Sequence, residues 1–179
     1  MSKTISFGLS VSEIDRAIKE LREYQNSLDD KCQQLCERLC NEGIQIAQVH
    51  VGSSGFGKYI HLSAEITPEK AGCKAILIME DSQKIVSKWQ NQDGVQSKEI
   101  SPALMLEFGA GLPARNPANI PGVGTGTYGT HGNEPGWWYM DLEGQWHYAT
   151  GVSPKMPMYN AGKELRDKVV EIAREVFKS

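Results

Sequence analysis

Positive charge, long apolar runs and cysteine are all scarce in this 179-residue chain, and each scarcity excludes something. Lys and Arg number 19 against 22 Asp and Glu, a net charge of −3, so no basic field exists to hold a phosphate backbone. Nucleic-acid specificity is therefore not expected. No apolar stretch approaches the roughly 18–20 residues that span a bilayer, so no membrane partner is expected. The opening octet, Met1 to Gly8, carries one charge and no apolar core of the kind that directs secretion. Four cysteines are too few for a disulfide scaffold at this length. Cys32, Cys36 and Cys40 fall at i, i+4, i+8, one stripe of a helix rather than the turn-and-ligand spacing of a zinc site, and Cys73 stands alone in an expected strand. All four read as small buried thiols in a reducing compartment.

Signatures of catalysis are missing too. The glycine-dense run Gly122 to Gly129 is not followed by Gly-Lys-Ser/Thr and does not lead from a strand into a helix, so it reads as a flexible loop rather than a phosphate cradle. No serine sits in a Gly-x-Ser-x-Gly elbow. His50, His61, His131 and His147 are scattered, with no helical pair for a metal. No catalytic residue, metal or cofactor is expected. Glu107 is the one charge in an apolar segment; a general acid or base, used with His147 in a small hydrolase, is one reading. The favoured one is a carboxylate that accepts hydrogen bonds from backbone amides of the following loop and fixes the chain's exit from its helix.

What is present is a clear order of elements. A long helix begins near Val11, with Ser10 and Glu13 spaced for a capping box and Leu9 able to staple onto Ile14. Val11, Ile14, Ile18, Leu21, Leu28, Cys32, Leu35 and Leu39 recur in steps of three and four, broken only by Gln25 on the seam. So narrow a stripe suits a partner helix or a sheet edge. Gly43 is expected to end or bend the helix, although Ile44, Ile46, Ala47 and Val49 are able to continue it. Val51 to Gly57 reads as a flexible connection. The alternation from Ile60 to Ile66 predicts a half-buried strand, with a turn at Pro68 to Gly72. A second strand is expected from Cys73 to Met79, more central because Ile76 to Met79 is apolar on both faces. A third, from Lys84 to Trp89, competes with a helical turn.

Ser101-Pro102 predicts the start of a short helix that Gly109 stops. Residues 109–136 then hold 8 of the 18 glycines and 4 of the 8 prolines, a flexible loop long enough to be functional. Trp137 to Asp141 and Gln145 to Ala149 predict a hairpin rich in aromatics, with Trp137 and Tyr139 on one face, Trp138 on the other, and Trp146 and Tyr148 opposing His147. Exposed tryptophan marks interfaces, so Trp137, Trp138, Tyr139 and Trp146 are candidate contact residues. Pro154 and Pro157 lead into a last helix with Ala161, Leu165, Val169, Ile172 and Val176 on one face. The fold expected is a single α+β domain over residues 1–179, an antiparallel sheet packed by the two long helices.

These residues resemble a known family. Leu106-Glu107-Phe108-Gly109-Ala110-Gly111, a variable glycine-rich loop, and Pro157-Met158-Tyr159-Asn160-Ala161 opening the last helix are similar to the signatures of the tail-completion and head–tail joining proteins of long-tailed bacteriophages. Ala110 stands where that family usually has threonine and Met158 where it has phenylalanine, and a large insertion runs from about Leu112 to Ala149. The resemblance implies a structural neck protein without enzymatic activity or cofactor, in the virion and, during assembly, in the host cytoplasm. Its implied partners are other neck and tail proteins and its own copies in a ring. It also implies that Glu107 and Gly109 fix the loop's departure and that Pro157 and Met158 seat the last helix, while the aromatic hairpin meets a neighbour. A carbohydrate- or cell-wall-binding module that stacks sugars on the tryptophans is the alternative.

Overall fold

A computed structural model describes residues 8, 10–70, 72–91, 94–111, 137–140 and 143–178. The elements are α1 (Val11–Gly52), a 3-10 turn (Gly57–Tyr59), β1 (Ile60–Glu69), β2 (Gly72–Asp81), β3 (Ile85–Asn91), β4 (Gly94–Ile100) and α2 (Pro102–Phe108). There follow β5 (Ala110–Gly111), β6 (Trp137–Met140), β7 (Trp146–Ala149), β8 (Gly151–Val152) and α3 (Pro157–Lys178). The class is α+β. All strand pairs are antiparallel: β1 with β2, β3 with β4, β5 with β8 and β6 with β7.

Helix α1 continues through Gly43 and ends nine residues later, so of the expected end or bend at Gly43 the end is not found and the continuation over Ile44 to Val49 is. Packing outweighs propensity there. Gly43 is buried, and a Cβ built on it would lie 2.9 Å from Leu165 Cδ1 and 3.1 Å from Leu77 Cδ2. The missing side chain is what lets α3 and β2 close on the same turn of α1. Around that point Ile46, Ala47 and Ala161 form a core with Leu62, Leu77 and Met158 against it. Helix α3 runs antiparallel to α1, as two ion pairs between them show: Arg38 with Glu175, and Glu42 with Lys168. Glu42 raises the Lys168 pKa above the ordinary lysine value through that hydrogen bond. Both pairs are largely exposed and guide register more than they stabilise.

The first hairpin lies along α1. In β1 the expected alternation holds except at Ser63, which is half-buried: His61, Glu65 and Thr67 are exposed and Leu62, Ala64 and Ile66 half-buried. The strand runs further than the pattern indicated, since Pro68 and Glu69 still pair with Cys73 and Gly72. Strand β2 is not central. Among the described residues it pairs only with β1, and its Ile76 is exposed, so the apolar run marks one face on α1 and another turned toward solvent. The segment expected as a third strand is β3, and it pairs with β4, an element the hydropathy pattern did not reveal; Gly94, at φ 108°, opens that partner strand. At the start of α1 Ser10 is the N-cap residue, yet its hydroxyl meets the Glu13 carboxylate instead of a backbone amide. Leu9 lies outside the described residues, as do residues 112–136 of the expected loop.

The cysteines are less buried than expected. Only Cys40 is buried; Cys32, Cys36 and Cys73 are partly accessible because the stripe runs along the margin between α1 and β2. The Cys36 thiol donates to the Cys73 carbonyl at 3.5 Å. Burial first, and Cys73 beside it, push the Cys36 thiol up to about 11, so it is a protonated packing group at neutral pH.

Candidate functional site

Helix α2 is only seven residues long, yet Pro102, Ala103, Met105, Leu106 and Glu107 are all buried. A helix so short does not persist on propensity alone, and tertiary contacts hold both its ends. At its start the Ser101 hydroxyl accepts from the Leu104 amide at 3.1 Å, as the Ser-Pro pattern predicts. Asp81, at the end of β2, accepts from the Ala103 amide at 2.8 Å. That second cap was not legible, because Asp81 stands 22 residues earlier. At the other end Gly109 receives the chain at φ 75° and ψ 177°, a region closed to side-chain-bearing residues, and its amide returns to the Met105 carbonyl at 2.8 Å.

The carboxylate of Glu107 is the centre of the arrangement. It is only 8 % exposed, and its two oxygens accept from the backbone amides of Met158 and Tyr159, each at 3.0 Å. These are the second and third residues of α3, whose amides have no intrahelical acceptor. Glu107 thus caps a helix that begins 50 residues further along the chain, and its negative charge sits at the positive end of that helix. The expectation of a carboxylate bonded to backbone amides is right in kind. Its location is corrected: the amides belong to the last helix rather than to the loop after Glu107, because Met156, which precedes Pro157, has no side-chain oxygen to accept from them.

The backbone closes the same junction from the other side. Leu106, fully buried, offers its carbonyl to the amides of Lys155 at 2.8 Å and Met156 at 3.3 Å. Met156 is held at φ 52°, the sole described non-glycine residue at positive φ, and it is buried. No sequence signal pointed to it. Next to it β5 pairs with β8, Ala110 opposite Val152 and Gly111 opposite Gly151. The chain therefore leaves α2 and re-enters before α3 as two paired strands. Phe108 is exposed, while Gly109, Pro157 and Ala161 are buried and Met158 packs half-buried on the main core. Met105 and Ala110 form a second core with Phe56, Ile100 and Val152.

The two short motifs are thus one structure, and the aromatic hairpin is another. β6 and β7 pair in register, with Trp138 opposite Tyr148 and Met140 opposite Trp146, and β6 packs on β3. Trp138, Trp146 and Tyr148 share one face of the hairpin and are 46–54 % exposed, and the Trp138 and Tyr148 rings lie 5.3 Å apart at 58°. The side chains of Trp137 and Tyr139 are outside the described residues. Tyr148 joins the candidate interface; its cross-strand pairing, invisible without the register, puts it there. His147 is exposed on β7, and both oxygens of Glu107 are occupied by amides, an arrangement unlike a base held ready for substrate. Among the described residues no group of three or more His, Cys, Asp or Glu side chains is placed to hold a metal ion, and no helix is long and apolar enough to cross a membrane. No family model, curated protein or solved structure matches the chain.

Proposed function

We propose that this chain is a structural subunit of virion assembly at the head–tail junction of a long-tailed bacteriophage. In this reading it acts by self-association into a ring and by contacts with other neck and tail proteins, and it catalyses nothing. It resides in the virion and, during assembly, in the host cytoplasm. The observation that carries the reading is the Glu107 junction. The segment around Glu107 and the segment opening at Pro157, far apart in sequence, form one lock by two 3.0 Å hydrogen bonds and a pair of short strands. A lock of this kind fixes where the chain leaves α2 and where it returns to α3, as a rigid mount for an interface requires. The aromatic face of the hairpin adds a second support, since three half-exposed rings on one surface are characteristic of protein interfaces.

The test is light-scattering mass over a concentration series, with negative-stain images of the largest species. A closed ring of one stoichiometry, lost in the Trp138→Ala/Trp146→Ala double variant, supports the proposal. The same three rings also favour one other reading, a module that stacks sugars on Trp138, Trp146 and Tyr148. Tryptophan fluorescence titrated with cell-wall fragments separates the two: saturable quenching in a chain that forms no ring replaces the assembly reading by the sugar-binding one.

A further inference from the structure

The four cysteines form one neighbourhood. Cys32, Cys36 and Cys40 stand on successive turns of α1, and Cys73 is the second residue of β2. The Cys36 sulfur lies 3.5 Å from the Cys73 carbonyl oxygen, and the two thiols are in hydrogen-bonding contact with each other. Pro68, across from Cys73 in β1, has no N–H to offer that carbonyl, which leaves it to the Cys36 thiol. The Cys73 thiol reaches the Lys74 carbonyl only at 3.8 Å, a weak contact that rotation about its Cα–Cβ bond gives up cheaply. Cys36 and Cys73 are partly accessible, whereas Cys40 is buried. Within a helix, Cβ atoms one turn apart are about 5–6 Å from each other, more than the roughly 3.5–4.5 Å that a disulfide spans. Cys36 therefore has a single thiol to which it is able to bond, that of Cys73.

We propose that Cys36 and Cys73 are a reversible dithiol–disulfide pair, closed by exchange with a small-molecule disulfide of the glutathione class, which fastens the first hairpin to α1 when the surroundings turn oxidising. The proposal is independent of the assembly reading. One thiolate of the pair attacks a sulfur of the small disulfide, expels one thiol and is left as a mixed disulfide. The other protein thiolate then attacks the protein-side sulfur and expels the second thiol. Two S–H bonds become one S–S bond, and the two electrons and two protons leave with the two small thiols. Excess small thiol reverses both steps. The bond closes a loop that takes in the end of α1 and the whole of β1, across 37 positions of sequence. It restricts the unfolded chain far more than the folded one, where the two thiols already lie side by side. Cys36 holds its proton up to about 11, which keeps its thiolate scarce at neutral pH. Closure is accordingly slow, and the pair is a latch for lasting changes of environment rather than a sensor of brief ones.

The experiment equilibrates the full chain, free of oxygen at about pH 8.5, with reduced and oxidised glutathione in graded ratio, both folded in buffer and unfolded in guanidinium chloride. Free thiols are then alkylated and the products resolved by mass spectrometry. In the folded chain a species lacking two hydrogens should dominate, with its link mapped to Cys36 and Cys73. Its closure constant should exceed that of the unfolded chain at least about thirtyfold, the factor that a disulfide's usual stabilisation sets through linkage. By the same linkage the oxidised wild-type chain should melt about 4–8 °C above the reduced one, a gain that does not depend on any variant. Cys36→Ser and Cys73→Ser should each abolish the linked species, while Cys32→Ser and Cys40→Ala leave it. A closure constant no larger in the folded chain than in the unfolded one overturns the proposal. So does a product that stops at the mixed disulfide, or an intramolecular link that survives Cys36→Ser.

Discussion

Replacing Glu107 by alanine removes the acceptor for two amides at once. The Met158 and Tyr159 N–H groups both point at this carboxylate from 3.0 Å, and no preceding turn of α3 exists to offer them a carbonyl. Hydrogen bonds to a charged group are worth about 1.5–3 kcal/mol each, and a part-buried setting argues for the lower end. The loss of the helix-terminus charge interaction adds about 0.5–1 kcal/mol, so Glu107→Ala should destabilise by roughly 4 kcal/mol. Glu107→Gln retains one acceptor and turns an NH2 toward the second amide, donor against donor, which costs about 2 kcal/mol. For a chain of this size these correspond to melting shifts of about 8–16 °C and about 4–8 °C. Thermal unfolding followed by circular dichroism measures both. If glutamine leaves the melting temperature within about 1 °C of wild type, the carboxylate does not hold α3 and the reasoning fails. A group kept for acid–base catalysis would give that opposite pattern, with activity lost and stability hardly changed.

Gly109→Ala should lose about 2 kcal/mol, because φ 75° with ψ 177° is open to glycine alone; chemical unfolding reads the change in midpoint. At Gly43 alanine gains about 1 kcal/mol in helix propensity but must displace Leu165 and Leu77, so Gly43→Ala should stay near wild type while Gly43→Leu loses more than about 2 kcal/mol in the same assay. The Cys36 thiol, raised from 9.0 to about 11, should react with iodoacetamide at pH 8 about tenfold more slowly than an ordinary thiol, its smaller thiolate fraction being partly offset by higher intrinsic nucleophilicity; mass spectrometry maps the rate. The fold binds that proton more tightly than the unfolded chain does, so the associated stability is complete below about pH 9 and is lost as the pH rises through about 11.

Local chemistry was readable and long-range chemistry was not. Ser101-Pro102 and Gly109 bracket α2 by a capping hydroxyl, a fixed φ and a missing Cβ, and the period-two pattern of Ile60 to Ile66 places β1, because both signals lie within a few residues of the structure they specify. Gly43 misled because its role is to admit Leu165 and Leu77, residues that sequence proximity does not bring near it. The same holds for Asp81 at the start of α2 and for Met156 at positive φ, both fixed by tertiary contacts. Strand β4 escaped notice since Val95 to Lys98 carries few apolar residues, and its pairing with β3 supplies what its own pattern lacks. Glu107 was legible as a structural carboxylate from its isolation among apolar neighbours. Its partners were not, for nothing in the spacing joins residue 107 to residues 158 and 159.

The central claim is that this chain assembles with itself and with neighbouring proteins rather than processing a ligand. Light-scattering mass of the wild-type chain over a concentration series, with images of the largest species, tests it most directly. The result expected is a closed ring of one stoichiometry that dissolves when Trp138 and Trp146 are replaced by alanine. A chain that never exceeds a dimer at any concentration contradicts it.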